Sequence, residues 1–135
     1  MQMNTWIKTD GGLRASRFKS KAKRADCVVR AISIATQKPY EEVFDELLDL
    51  SKQTGFFPNA DQTWELYIKN LGWNKNKPQR NQRGDLIRLV KFNSLNKTSI
   101  VKTRIHLVTI KHNVIMDAFD NKYSIAYSYY TKSLN

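Results

Sequence analysis

The amino-acid sequence predicts an α+β domain in which helices come first and an antiparallel sheet follows. Up to Gly72 the apolar residues recur at helical spacing, whereas beyond Gly84 apolar and β-branched residues alternate as in strands. The length of 135 residues and the hydrophobic content of 41% suit one folded domain with its own core. We therefore expect a single domain over 1–135, with a basic N-terminal arm (1–25), a helical half (26–72) and an antiparallel sheet half (85–131).

The N-terminal arm combines a short strand with a run of basic residues. Residues 4–8 are typical of an edge strand, and Asp10-Gly11-Gly12 is a strong turn signal. No acidic residue lies between Gly11 and Ala25, so this stretch is either a solvated loop or a surface that faces an anion. The candidate substrate- or anion-binding residues are Arg17, Lys19, Lys21, Lys23 and Arg24.

Three helices are predicted next. The first begins at Cys27 with Asp26 as its N-cap and ends near Gln37, because Pro39 pushes the residue before it out of helical geometry. The second runs from Tyr40 to about Lys52 with Pro39 in its first turn. The third runs from Gln62 to about Leu71, is capped by Asn59 or Asp61, and ends at Gly72.

Four strand-like segments make up the sheet half. A polar and basic passage over 74–84 separates them from the helices. The predicted strands cover 85–92, 100–110, 114–119 and 123–130.

The only cysteine, Cys27, lies in the first turn of the first predicted helix. A thiol there feels the positive end of the helix dipole, and the basic residues just before it favour the thiolate as well. The alternative is that Cys27 is a small buried hydrophobic residue, as many free cysteines are. The residues that decide between these readings are His106 and Asp117.

A predicted hairpin brings His106 and Asp117 together. His112-Asn113 supplies a two-residue turn, which places Lys111 opposite Val114. Counting outward then puts Asp117 on the same face as His106, one diagonal step away, where its carboxylate accepts a hydrogen bond from the imidazole.

Such a carboxylate would orient the ring for a neighbouring nucleophile. The alternative is that His106 and Asp117 are structural residues of the sheet. Asp120 competes with Asp117 as the orienting residue, but it lies past the strand and on the other face. His112 is expected to be exposed in the turn.

The chain resembles small papain-like (C39-like) cysteine-peptidase-fold proteins of bacteriophages and bacteria over about residues 24–131. The matching features are the Asp26-Cys27-Val28-Val29-Arg30-Ala31 run, the Pro39-Tyr40-Glu41-Glu42-Val43 helix start, the third helix ending in Leu71-Gly72-Trp73, the His106-Leu107-Val108 strand, the segment 114–120 and the aromatic strand Tyr127-Ser128-Tyr129-Tyr130.

The resemblance implies a papain-like fold and a thiol hydrolase that cleaves a peptide or isopeptide bond. If a phage encodes the protein, the bond is expected to lie in a host factor. By position, Cys27 is the nucleophile, His106 the general base and acid, and Asp117 the orienting residue. No cofactor or metal is implied. Two features depart from the pattern: 19–23 lacks the glutamine that usually completes the oxyanion hole, and Ile105 replaces a small residue before the histidine.

The net charge of +11 indicates an anionic partner, either an acidic protein or peptide substrate or a nucleic acid. The alternative function is therefore a catalytically weak or inactive papain-fold protein that binds such a partner, with Trp73 beside Lys75 and Lys77 suited to single-stranded nucleic acid. An acyl transferase with the same three residues also stays open, as does the oligomeric state.

The sequence also bears on location. One cysteine cannot form an internal disulfide, so a reducing compartment is expected. No segment resembles a signal sequence or has membrane-spanning length, so we expect a cytoplasmic protein without a membrane partner, in the host cytoplasm if a phage encodes it.

Overall fold

The computed structural model describes residues 3–13, 16 and 26–132. These residues form an α+β structure with three α-helices and a six-stranded mixed sheet. The elements in chain order are β1 (Thr5–Lys8), α1 (Cys27–Thr36), α2 (Tyr40–Thr54), α3 (Asp61–Asn70), β2 (Trp73–Asn76), β3 (Thr98–Lys102), β4 (Leu107–Lys111), β5 (Val114–Asp117) and β6 (Ser128–Lys132).

The sheet is mixed rather than purely antiparallel, and it draws strands from beyond the C-terminal half. Its strand order is β1-β5-β4-β3-β6-β2, with β1 parallel to β5 and the other pairs antiparallel. The predicted N-terminal edge strand is confirmed as β1. The buried amide of Asn4 fixes its start by donating to the carbonyls of Leu89 (2.8 Å) and Phe92 (2.7 Å).

The helix predictions are confirmed, with small changes at the ends. Gln37 and Gly55 follow α1 and α2 in the left-handed conformation, so both helices end where their backbones reverse. Of the predicted caps, the N-cap position of Asp26 is confirmed and that of the third helix is wrong. Asp26 stands at the N-cap of α1 without a capping hydrogen bond from its side chain, and Ala60 occupies the N-cap of α3.

Two strand predictions are wrong. The segment 85–92 makes only isolated bridges at Leu86 and Arg88 before a 3-10 helix over Leu89–Lys91. The segment 100–110 is two strands rather than one, because the chain turns at 103–106 and pairs Lys102 with Leu107. Of the remaining two segments, 114–119 keeps a strand only to Asp117, and the last strand begins at Ser128.

The β4–β5 hairpin has the predicted register. Lys111 pairs with Val114, and both His112 (φ 49°) and Asn113 (φ 66°) adopt the left-handed conformation of a two-residue turn. His112 is exposed, as expected. This hairpin places Asp117 at the end of β5, close to the residue that precedes β4.

The sheet separates two apolar cores. Ile100 and Leu107 face the helices, whereas their neighbours Val101 and Val108 face the other side, as strand alternation requires. Thr109 Oγ1 donates to the Ala31 carbonyl at 2.6 Å and so ties β4 to the middle of α1. The helix that begins with Cys27 is therefore fixed against the strand that follows His106.

In the described part of the chain, no helix is long and apolar enough to cross a membrane.

The N-terminal turn approaches α1 closely at Gly11. A Cβ atom on Gly11 would lie 3.0 Å from Arg30 Cα, and its φ is +65°, whereas Gly84 has φ +86° and open space around it. Alanine at either position incurs the left-handed strain of about 1–2 kcal/mol. We expect G11A to lose about 1–3 kcal/mol more than G84A because of the added overlap.

Urea unfolding of the two variants measures this difference. Equal unfolding midpoints for G11A and G84A would show that the turn does not press on α1.

Candidate active site

Cys27 is the first residue of α1 and is half-buried. Its side chain lines a small cleft of about 190 Å³ between the start of α1, the loop before α3 and the β3–β4 turn. The cleft also contains His106, Leu107 and Ile105. The thiol is thus neither sealed in the apolar core nor fully exposed, as a reactive cysteine requires.

His106 lies immediately before β4, at the end of the β3–β4 turn. The turn is closed by the Thr103 N–H, which donates to the His106 carbonyl at 2.8 Å. The His106 side chain is 12% exposed, and its Nε2 atom bonds to Asp117 Oδ2. This bond leaves Nδ1 as the ring nitrogen for Cys27, whose thiol hydrogen-bonds to the His106 side chain.

Asp117 is almost fully buried and is held by four donors, so its carboxylate has one defined orientation. Besides His106, it accepts hydrogen bonds from Asn121 Nδ2 (3.0 Å), the Ala118 N–H (2.7 Å) and Arg30 Nη2 (3.1 Å). The predicted hydrogen bond between His106 and Asp117 is therefore confirmed. Asp120 does not compete, because its carboxylate is exposed and pairs with Lys122 at 3.3 Å.

Arg30 is the residue of this site that the sequence prediction missed. Its side chain is 3% exposed and bridges two buried carboxylates, Asp117 at 3.1 Å and Asp26 in a close ion pair. It also lies over the ring of Phe119, 5.8 Å from the centroid. An arginine three residues after the cysteine, among the apolar residues of α1, was the available signal, since a charge on a buried helix face needs a partner.

Tyr40 completes the network behind the cysteine. Its hydroxyl donates to Asp26 Oδ2 at 2.9 Å. Burial and the neighbouring Asp26 carboxylate both raise the pKa of Tyr40, so the phenol keeps its proton and remains a donor. The side chain of Asp26 therefore serves Arg30 and Tyr40 instead of the helix end.

The pKa values of the cysteine and the histidine move in opposite directions. Burial raises the pKa of Cys27. The hydrogen bonds with His106 and with the Leu107 backbone lower it, as do the charges of His106 and Arg30, and together they outweigh burial. Burial lowers the pKa of His106, but the bonds to Asp117 and Cys27 outweigh it and raise the pKa to about 9. A thiolate beside an imidazolium is the form that these shifts favour.

Several other predictions concern surfaces around this site. All five basic residues proposed to bind substrate or anions lie outside the described residues: Arg17, Lys19, Lys21, Lys23 and Arg24. The prediction that Trp73 offers a stacking surface is wrong, because Trp73 is 4% exposed and begins β2 in the helix-side core. Over the described ranges, no three His, Cys, Asp or Glu residues form a group that could hold a metal ion.

Comparisons with protein-family models, with curated proteins and with solved structures give no match for this chain.

The Arg30 bridge makes a prediction about stability. Arg30→Met keeps most of the side-chain volume, but it leaves Asp26 buried without its cation and leaves Asp117 with the His106 imidazolium alone. Breaking a buried ion pair in this way costs about 3–5 kcal/mol. We expect R30M to lose that much free energy of unfolding.

Lys52→Met is the matched control. Lys52 and Asp49 are 73% and 72% exposed and lie 4.0 Å apart, and such surface pairs contribute at most about 1 kcal/mol. Denaturant unfolding that gives R30M the stability of K52M would contradict a structural role for the bridge.

Proposed function

We propose that this protein is a thiol hydrolase of the papain type that cleaves an amide bond of a peptide or isopeptide. The observation that supports the proposal is the chain of contacts from the Cys27 thiol to the His106 ring and from His106 Nε2 to the buried Asp117 carboxylate. A nucleophile, a base and an orienting carboxylate in this order are the groups that covalent acyl transfer to a thiol requires.

The first half of the reaction forms an acyl-thioester. The Cys27 thiolate attacks the carbonyl carbon, a C–S bond forms, and the carbonyl π electrons move to the oxygen. Backbone N–H groups at the start of α1, including that of Cys27, are available to stabilise this oxyanion. When the oxyanion collapses, the C–N bond breaks and the His106 imidazolium gives its proton to the leaving amine.

The second half returns the enzyme to its starting state. Neutral His106 takes a proton from water as the water oxygen attacks the thioester carbon. The C–S bond then breaks, which releases the carboxylic acid and restores the thiolate beside the imidazolium. Asp117 keeps the ring aligned through both halves and stabilises its charged form. If an amine enters in place of water, the same steps give acyl transfer.

The net charge of +11 favours a second candidate, a papain-like protein of weak or no turnover that binds a nucleic acid or an acidic protein. Binding of this kind weakens steeply with salt, because phosphate contacts release counterions. Steep salt dependence of oligonucleotide binding, together with an ordinary Cys27 reactivity, would favour this candidate over the hydrolase.

The reactivity of Cys27 tests the hydrolase proposal. A lowered thiol pKa leaves a larger fraction of Cys27 as thiolate than of an ordinary cysteine at the same pH. We expect iodoacetamide to alkylate Cys27 at about pH 6 much faster than it alkylates a free thiol. The measurement is the rate of adduct formation by mass spectrometry from about pH 5 to about pH 10.

The two histidines provide a matched pair of variants for this assay. His106→Asn removes the partner of the thiolate, so its alkylation profile should move to higher pH. His112→Asn changes an exposed turn residue and should leave the profile in place. An H106N profile that superimposes on that of the unsubstituted protein would remove the support for a Cys27–His106 pair.

A further inference from the structure

A second groove shares Ile105 with the cleft that contains Cys27. Its volume is about 480 Å³, and its lining includes Arg88, Arg104, Ile105, Tyr123 and Tyr127. We call it the arginine–tyrosine groove. Ile105 lines both this groove and the Cys27 cleft, and it is the neighbour of His106 in the chain. If a peptide places one segment in the groove, the peptide bond that it presents to Cys27 would therefore be only a few residues away from that segment.

The groove is positively charged. Two arginines and no acidic residue are among the described residues that line it. Arg88 Nη1 donates to the Tyr123 carbonyl at 2.6 Å, which holds the guanidinium beside another residue of the groove. Arg104 is exposed and makes no ion pair with any residue that the structure describes. Both guanidinium groups thus have donors left for a carboxylate, which arginine binds in bidentate geometry.

The groove also exposes three large apolar or aromatic side chains. Ile105 is 73% exposed, Tyr123 is 66% exposed and Tyr127 is 42% exposed. A large apolar side chain in a turn gains little for folding at that exposure, whereas a ligand that covers it gains about 25 cal/mol for each Å² removed from water. Exposed apolar and aromatic residues beside arginines are the composition of a recognition site.

We propose that the arginine–tyrosine groove binds a segment of the peptide substrate in which an acidic side chain stands next to an apolar one. The inference rests on the proposed hydrolase function, because the occupant must also present an acyl carbon to Cys27. Nucleic acid would satisfy the two arginines through its phosphates, but it carries no such carbon. The groove thereby sets the sequence preference around the scissile bond.

Selection from a random peptide display library tests the groove separately from turnover. The bait is the C27A protein, which keeps the groove and lacks the nucleophile. We expect the selected peptides to carry Asp or Glu beside Leu, Ile or Phe. Charge reversal by R88E and R104E together should weaken their binding by about tenfold or more, since charged hydrogen bonds are lost and repulsion is added.

Two further variants keep this test decisive. R104E alone serves if the double variant does not fold, because the Arg104 side chain has no described ion pair to lose. K52E reverses an exposed charge on α2 and should bind the selected peptides unchanged. No enrichment of acidic peptides, or equal binding by the R104E variant, would overturn the proposal. Arginine-dependent binding of oligothymidylate without peptide enrichment would overturn it in favour of nucleic acid.

The outcome for the hydrolase is read from the same peptides. Cleavage of the selected peptides by the protein with Cys27 intact supports both proposals. Arginine-dependent binding without cleavage leaves the groove standing and counts against the hydrolase. Cleavage of other peptides, with a preference that R104E does not alter, supports the hydrolase and removes the role of the groove.

Discussion

The guanidinium of Arg30 is the cation on which the rest of the site depends. It lies on α1, three residues after Cys27, and pairs with Asp117 on the sheet and with Asp26 at the start of the same helix. A charge this deeply buried is tolerated only with partners in good geometry. Meeting that requirement fixes the Cys27 end of α1 relative to the end of β5, and so it sets how far Cys27 lies from Asp117.

The same arrangement separates two electrostatic tasks. One carboxylate oxygen of Asp117 accepts from Arg30, and the other accepts from His106 and Asn121. Asp117 can therefore stabilise the imidazolium while it keeps its ion pair with Arg30. His106 in turn lowers the pKa of Cys27 from the other side of its ring. Burial alone would oppose both charged groups. The hydrogen bonds and the mutual attraction of the two groups shift both pKa values the other way and so favour the thiolate–imidazolium pair.

Local signals were sufficient to predict much of this from the sequence. Helix periodicity and Pro39 gave the start and end of α1, and the His112-Asn113 turn fixed the register that brings Asp117 to His106. Contacts between distant parts of the chain were not predictable in the same way. The parallel docking of β1 on β5 depends on Asn4 bonding to carbonyls more than eighty residues away, and the Arg30–Asp117 pair joins residues equally distant in the chain.

The turn at 103–106 shows a different reason for failure. It contains neither glycine nor proline, and its β-branched residues read as one continuous strand. Strand β3 ends at Lys102, the last residue that pairs with both β6 and β4. These are contacts between distant parts of the chain, and local strand propensity does not predict them. That turn places His106 beside the cysteine and leaves Ile105 exposed at the meeting point of the cleft and the arginine–tyrosine groove.

The most direct test of the central claim is a titration of the His106 imidazole by NMR, with His112→Asn used to assign the two histidines. The account predicts that His106 titrates with a pKa of about 9 and that Cys27→Ala or Asp117→Asn lowers this value. An imidazole that titrates near its ordinary value of 6.5, unmoved by either substitution, would contradict the ion pair on which the proposed chemistry depends.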